Sequence, residues 1–279
     1  MDKIEGEGYI LSHMLTKAPK DDDFELHIHD GYELLCLVKG DVSYIVEGHI
    51  YKLTAGSLML MRSSETHKLV VEKSTEYERY VLNFSPSIIA KMGLSRELLS
   101  PFKERKIGEK NFYLPTEFRH VSPSFCFERA FLDANDLPKS DVMLTLFSSL
   151  LCEIKCAFDR KEEHGVGGRS LSEEIISYVN ENLKNDISIK KIANALHISQ
   201  TEVSRAFKKS LGTSIYDYIL TKRLIMFNKK IVTAKSTQEL SRECGFHDYS
   251  SFYRLYKKRF GVSPSEYIKN KAQGYAQVR

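Results

Sequence analysis

Two sets of side chains in this sequence are of the types that do chemistry. The first is His27-Ile-His29-Asp-Gly-Tyr-Glu33, with His67 further along the chain. Two histidines one residue apart and a glutamate four residues later supply imidazole nitrogens and a carboxylate from one short stretch. A distant histidine completes a set able to ligate a divalent metal. The same residues serve equally well as polar groups lining a small-molecule pocket or satisfying the rim of a barrel. The second set is Arg205 and Arg254, each accompanied by hydroxyl side chains and lysines. A guanidinium in that company pairs bidentately with a guanine edge, while the lysines neutralise phosphates.

A repeat positions the second set. Residues 191–219 and 240–268 superpose without a gap, Arg205 on Arg254, Lys208-Lys209 on Lys257-Lys258, Gly212 on Gly261 and Tyr218-Ile219 on Tyr267-Ile268. In the first copy Ser188 caps a helix predicted over Ile189–Leu196, and His197-Ile198-Ser199 makes a tight turn. Gln200–Leu211 is then a second helix, closed by Gly212. In the second copy Ser236 caps Thr237–Cys244, Gly245-Phe246 turns, and a helix starting at Asp248 or Tyr249 ends at Gly261. Each copy reads as a helix-turn-helix, over 188–211 and 236–260, whose second helix enters a major groove.

Subtracting the buried positions of the first recognition helix leaves Gln200, Thr201, Ser204, Arg205 and Lys208 facing outward. The second presents Tyr249, Ser250, Tyr253, Arg254 and Lys257. Ile215–Val232 reads as one helix joining the copies, so both would enter successive major grooves roughly 34 Å apart.

Charge supports this. Residues 166–279 carry 20 Lys and Arg against 10 Asp and Glu, whereas residues 1–165 carry 21 against 27. A basic half joined to an acidic half is the electrostatic footprint of a polyanion-binding module attached to something else. Asp159–Arg169, dense in charge with three glycines, marks the junction, with the linker at 161–169.

Ahead of it, short apolar runs at 34–38, 42–46, 57–61 and 80–84 alternate with glycine-containing turns. This predicts a small β-barrel or sandwich over about 20–84. From about 85 to 160 the pattern is helical, with Ser140-Asp141 as the N-cap of Val142–Arg160. There Met143, Phe147, Leu150, Ile154 and Ala157 form a stripe that fits either the helix's own barrel or a helix–helix dimer seam. Cys152 and Cys156, one turn apart, read as small apolar residues on a buried face rather than a metal or redox pair. No apolar run is long enough to span a bilayer, and the acidic N-terminus lacks the features of a signal peptide, so a cytoplasmic protein without membrane contact is expected.

Residues 170–270 resemble the DNA-binding region of the AraC/XylS family of bacterial transcription regulators. The resemblance is carried by Cys244-Gly-Phe-His-Asp-Tyr-Ser-Ser-Phe-Tyr-Arg-Leu-Tyr-Lys-Lys-Arg-Phe-Gly-Val-Ser-Pro-Ser-Glu-Tyr267. Two departures, Cys244 for a small or β-branched residue and Tyr256 for Phe, do not face DNA. The resemblance places family recognition positions at Thr201, Ser204 and Arg205, and at Ser250 and Arg254. It implies an all-α double helix-turn-helix domain over 170–279, with promoter DNA, RNA polymerase and a second copy of the chain as partners.

The first half is similar to the cupin fold, and the order His27, His29, Glu33, His67 matches its metal ligands. The flanks depart from that pattern: Asp21 replaces Gly, Arg62 and Ser64 replace Pro and Gly, and Val71 replaces Asn. AraC-type sensors often keep these residues only as a remnant, so no metal, cofactor or enzymatic activity is expected. The expectation is an all-β cupin-like barrel with appended helices (1–160). It would bind a small-molecule effector through His27, His29, Tyr32, Glu33, Tyr44, Arg62 and His67. Stacked aromatics with polar clamps favour a carbohydrate. The chain then reads as an effector-controlled transcription regulator, with activation as the expected direction. The alternatives are a metal-dependent cupin enzyme with a DNA-targeting domain, and a constitutive DNA binder with a vestigial sensor.

Overall fold

The computed structural model describes residues 2–24, 26–29, 31–63, 65–132, 137–161 and 170–272; the linker expected at 161–169 lies outside them from 162 onward. The chain divides into two compact units, Met1–Val166 and Gly167–Arg279.

The first unit is built on one antiparallel sheet. Its strands are β1 (Asp2–Gly6), β2 (Tyr9–Thr16), β3 (Tyr32–Val46), β4 (His49–Lys52), β5 (Leu58–Met61), β6 (His67–Phe84) and β7 (Phe112–Tyr113). They run in the order β1-β2-β6-β3-β5-β7, with β4 paired to β3. The sheet therefore begins well before residue 20 and takes a last strand beyond residue 84. β1 escapes a reading by apolar runs because all of its residues but Ile4 are exposed, and β2 because Ser12 and His13 interrupt its apolar positions. The middle of β6 escapes as β1 does, with residues 72–76 all exposed.

Lys39-Gly40-Asp41 reads as a turn in the sequence but lies inside β3, where the register against β6 slips. These slips are bulges, which bend a strand and change which face a residue points to. Gly40 sits at φ 142, and a Cβ there would come 3.1 Å from the ring of Tyr77. The consequence is a switch of parity. Tyr32, Leu34 and Cys36 join one core cluster, together with α1 (Ser87–Lys91), α2 (Ser100–Lys103), α3 (Pro123–Phe131) and α4 (Lys139–Arg160). Leu35 and Leu37, but also Val42, Tyr44 and Val46 beyond the bulge, fill the other face with Met59, Met61, Leu69 and Tyr77. Between β3 and β4 the loop is Glu47-Gly48, at φ 51 and 86, the two-residue turn whose twist suits a hairpin.

α4 starts behind Pro138, so Ser140 and Asp141 lie in its first turn rather than at its cap. Its stripe of Met143, Phe147, Leu150, Ile154 and Ala157 is buried in the sheet-and-helix core of its own unit. Cys152 and Cys156 are exposed, contrary to the sequence reading, because their phase matches Thr145 and Ser149 on the outer face. Cys36, Cys126 and Cys244 are buried. Burial pushes the Cys36 thiol up to about 12 and those of Cys126 and Cys244 to about 11. Reactivity needs an accessible thiolate. A thiol-reactive dye should therefore label two of the five cysteines rapidly in the native chain and the other three only on unfolding. A third fast thiol would contradict this packing.

The second unit is helical: α5 (Leu171–Glu181), α6 (Ile189–Leu196), α7 (Gln200–Leu211), α8 (Ile215–Lys230), α9 (Thr237–Glu243), α10 (Tyr249–Phe260) and α11 (Pro264–Ala272). α8 is buried nearly all round. Tyr218 meets Phe207 of α7, while Leu224 and Phe227 enter the core of α9 and α10. A helix apolar on every side needs neighbours on every side, and α8 has one helix-turn-helix at each end.

Candidate functional site

α7 is started by Ser199, whose hydroxyl accepts from the amide of Glu202 while Glu202 returns the bond to Ser199, and it is ended by Gly212 at φ 68. Such reciprocal capping fixes where the recognition helix begins. The turn ahead of it carries His197 at φ 57. Val203, Phe207 and Leu211 point inward, which leaves Gln200, Thr201, Ser204, Arg205 and Lys208 exposed on the other side.

α10 repeats this design with Asp248 as cap, accepting from the amide of Ser251 at 2.6 Å, and Gly261 at φ 73 as its end. Ser250, Tyr253, Arg254 and Lys257 are exposed. Tyr249 differs from the sequence reading. It is half-buried, its hydroxyl lies 2.9 Å from Thr237 Oγ1, and its ring packs near Phe252. Tyr249 thus fastens α10 to α9 while it also lines the shallow notch shared with Ser250, Tyr253 and Arg254. The turn between these helices depends on Gly245, at φ 89. A Cβ there would stand 2.7 Å from Nε of Arg223. That arginine is occupied in donating to the carbonyls of Leu183 and Asn185 behind α5. Sequence reading places Arg223 on a helix but gives no sign of this tie.

At one end of the sheet the two ring-bearing segments meet. The amide of His27 donates to the carbonyl of His67 at 3.0 Å, and that of His67 to His27 at 3.1 Å. This lone antiparallel pair lays the segment carrying His27 and His29 across the start of β6. Nε2 of His29 stands 3.0 Å from Oε2 of Glu33, and Nε2 of His67 stands 3.9 Å from its Oε1. Burial opposes charge on Glu33, but His29 beside it prevails and holds the carboxyl down to about 2. Burial, helped by His27, pushes His67 down to about 3, so its imidazole is neutral. Nδ1 of His67 donates to the carbonyl of Glu65 at 2.9 Å, which fixes the tautomer. Among the described residues, His29, Glu33 and His67 are grouped so that they could hold a metal ion, their ligand atoms all within 4.8 Å of one another.

Of the other expected pocket residues, Tyr44 lies under the cluster with its ring 6.5 Å from that of His67. Tyr32 does not. Lying ahead of the bulge, it points to the opposite face of the sheet and stacks on Phe102 at 4.7 Å. Arg62 is also engaged elsewhere, since its Nη1 donates to the carbonyls of Phe102, Lys103 and Arg105 at the end of α2. Tyr77 and Arg79 replace them on the cluster's face. Tyr77 is buried beneath Arg79, whose guanidinium lies 4.2 Å from its ring centroid.

A further network escapes sequence reading altogether. Glu65 and Arg105, both with fully buried side chains, form a two-pronged ion pair at 2.5 and 2.7 Å. Asn111 and the amides of Arg62 and Gly108 supply the remaining donors to Glu65. Burial would raise the Glu65 carboxyl, but Arg105 keeps it below its ordinary value.

Residues 15–179 match the family described as AraC-like ligand binding domain, and residues 192–270 match a family described as helix-turn-helix domain. The first match alone spans more than half of the chain. The chain belongs to the AraC family of transcription regulators. Relatives of similar length include the HTH-type transcriptional activator RhaR of Mannheimia succiniciproducens, 18% identical over 88% of this chain and 87% of that protein. The lactose operon transcription activator of Staphylococcus xylosus is 22% identical over 83% and 81%. RhaS of Escherichia coli is 23% identical over 91% of each. Among solved structures, ToxT from Vibrio cholerae aligns over 94% of this chain and 98% of its own at 14% identity, with a TM-score of 0.39. As in the family, this AraC-type chain joins a ligand-binding sheet domain to a helix-turn-helix domain. No helix among the described residues is long and apolar enough to cross a membrane.

Proposed function

We propose that this chain is a cytoplasmic, effector-controlled transcription activator that reads promoter DNA with α7 and α10 in neighbouring major grooves. One observation carries the reading: two separately capped recognition helices present Arg205 and Arg254 at equivalent exposed positions. Ser204, Thr201 and Ser250 stand beside them for base edges, and Lys208 and Lys257 for phosphates. The effector belongs at the end of the sheet formed by His27, His29, Glu33, His67 and Tyr44. A carbohydrate is the first class to test, in keeping with the lactose operon activator among the relatives. The chain acts as a homodimer that engages RNA polymerase. Phe125, Leu132 and Leu137 are exposed apolar side chains available for such contacts, and sedimentation tests the dimer. An effector can alter DNA affinity only by the ratio of its own affinities for the free and DNA-bound forms.

The deciding experiment is a footprint on the DNA upstream of the chain's own gene, at two salt concentrations, with and without sugars. Protection of two adjacent major grooves on one face, sharpened by a ligand, is the expected result. No protection at low salt would remove the DNA reading. Lys257→Ala should weaken all sequences alike and lower the slope of log K against log salt by about one unit. A loss confined to one base pair would reassign Lys257 to base reading.

A further inference from the structure

The two helix-turn-helix copies pack around separate cores. The apolar cluster of the second, built around Phe227, Phe252 and Tyr256, takes in no residue ahead of Leu220 among the described residues. The first packs at the other end of α8, with Phe207 against Tyr218. One helix of 16 residues connects the two modules, and a helix alone can bend or curve between them. At its middle stands Arg223, buried although charged. Its Nε donates to the Leu183 carbonyl at 3.0 Å and its Nη2 to the Asn185 carbonyl at 2.7 Å. Both carbonyls belong to the connection that leads from α5 into α6. The face of the guanidinium lies on the second copy. A Cβ on Gly245 would stand 2.7, 2.8 and 3.0 Å from Nε, Cζ and Nη2, distances so alike that the plane of the group lies broadside to that residue. One rigid fork therefore touches the backbone entering the first helix-turn-helix and the turn inside the second.

The first copy has no counterpart. Shifted by the 49 residues that separate the repeats, Arg223 falls on Glu174, which is exposed, and Gly245 on Leu196. A turn of this kind forms without an arginine behind it, so the group serves the junction of the copies rather than the turn itself. We propose that Arg223 is a positioning residue that fixes the separation of α7 and α10, so that the chain selects DNA by the spacing of its two half-sites as well as by their bases. This rests on the reading in which both helices bind DNA. One inserted base pair moves the second half-site by about 3.4 Å and turns it by about 35° around the duplex axis. A clamped pair of helices cannot follow that screw and gives up a base contact, whereas a pair joined by α8 alone can. Lysine does not replace the clamp, since an ammonium has no planar fork to span both carbonyls while lying flat on Gly245.

The test titrates the full chain against the footprinted operator and against the same DNA with one base pair inserted or removed between the half-sites. The parent should lose at least about tenfold in affinity on either change, the scale of one lost base contact. Arg223→Lys should narrow that ratio to about threefold or less while keeping the base preferences under Arg205 and Arg254. Gly245→Ala, which drives a methyl group onto the guanidinium from the other side, should do the same. A reading independent of DNA comes from spin labels on Lys209→Cys and Lys258→Cys, equivalent exposed positions of α7 and α10. The labelled chain also carries Cys152→Ser and Cys156→Ser, which removes the exposed native thiols. The label-to-label distance in the free protein should be narrowly distributed in the parent and at least about twofold wider with Arg223→Lys. Circular dichroism shows that the variants are folded, and should Arg223→Lys not fold, Gly245→Ala carries the test. A spacing ratio unchanged in the folded variants, or a distribution just as narrow, overturns the proposal and leaves Arg223 a stabilising residue only. No footprint by the parent removes the DNA reading and the spacing claim with it, whereas a footprint with an unchanged ratio removes this claim alone.

Discussion

Arg105→Ala should destabilise the first unit by about 3–5 kcal/mol, the cost of leaving a buried charge without its partner. Arg105 does more than face Glu65. Its guanidinium also donates to the carbonyls of Pro101, Glu109 and Leu60 and to the side chain of Asn111. Removing it takes a donor from each of these acceptors, of which the Leu60 carbonyl keeps its bond from Asn111, and leaves a carboxylate whose side chain is fully buried without its counter-ion. For a unit of this size the loss corresponds to a fall in melting temperature of roughly 6–20 °C, read by calorimetry on the full chain. The apolar double variant Glu65→Leu/Arg105→Met supplies the control. Buried pairs replaced together by hydrophobic groups cost little, since both desolvation penalties vanish. A single variant within 1 kcal/mol of the parent, or a double variant as unstable as the single, would mean that the pair is not as dry as its geometry indicates.

The pair matters beyond stability because of where Glu65 lies. Its carboxylate holds the segment of residues 105–111 that follows α2, and its carbonyl fixes the tautomer of His67 two residues later. One residue thus ties the helical layer to the cluster at the end of the sheet. Thr66, between them, is held in turn by Glu47, whose carboxylate accepts from both its amide and its hydroxyl. The position of His67 is therefore set through two buried carboxylates, Glu65 and Glu47, and Arg105→Ala releases one of them.

How much of this was legible in the sequence depended on whether the determining contacts were local. The caps Ser188, Ser199, Ser236 and Asp248 and the glycines at 212 and 261 act within a few residues of where they stand. The bounds of α6 and α7 accordingly fall where capping chemistry places them, and α8 ends two residues short of Val232. His27, His29, Glu33 and His67 were legible as a set by their residue types, and the structure does bring them together. Tyr32 and Arg62 were not separable from them in sequence. The face of Tyr32 is decided by bulges several residues downstream, and Arg62 is claimed by carbonyls 40 or more positions away. Glu65, Arg105 and Asn111 carry no local signature. A charged residue reads as solvated surface until its distant partner is known. Cys152 and Cys156 were misplaced for a simpler reason, since a wide apolar stripe on α4 leaves the phase of its outer edge ambiguous.

Arg254→Ala should weaken binding to the cognate DNA site by about 1–3 kcal/mol, roughly 5- to 150-fold in Kd, with the loss concentrated at a single base pair. The argument rests on where Arg254 sits on α10. It follows the cap at Asp248 by six residues, one and a half turns into a helix whose N-terminal part faces base edges in this kind of docking. Phe252 and Tyr256 are buried, which turns Arg254 to the opposite, exposed side. Its Nη2 makes one long contact, 3.4 Å to Ser251 Oγ, and so gives up little on reaching for a guanine. Ser250 and Tyr253 flank it and form the walls of the notch that such a base edge would approach. Measured against a panel of sites with every base pair varied in turn, the parent should discriminate at the position under Arg254 and the variant should not. Arg205→Ala should give the same signature at a different position, one set by α7, and the double variant should lose both preferences additively, as the proposed docking of the two helices in separate grooves requires. Uniform weakening across the panel would instead place the guanidinium on a phosphate and rotate α10 away from the base edges. Discrimination left untouched at unchanged affinity would remove α10 from the interface and leave α7 to read the operator alone.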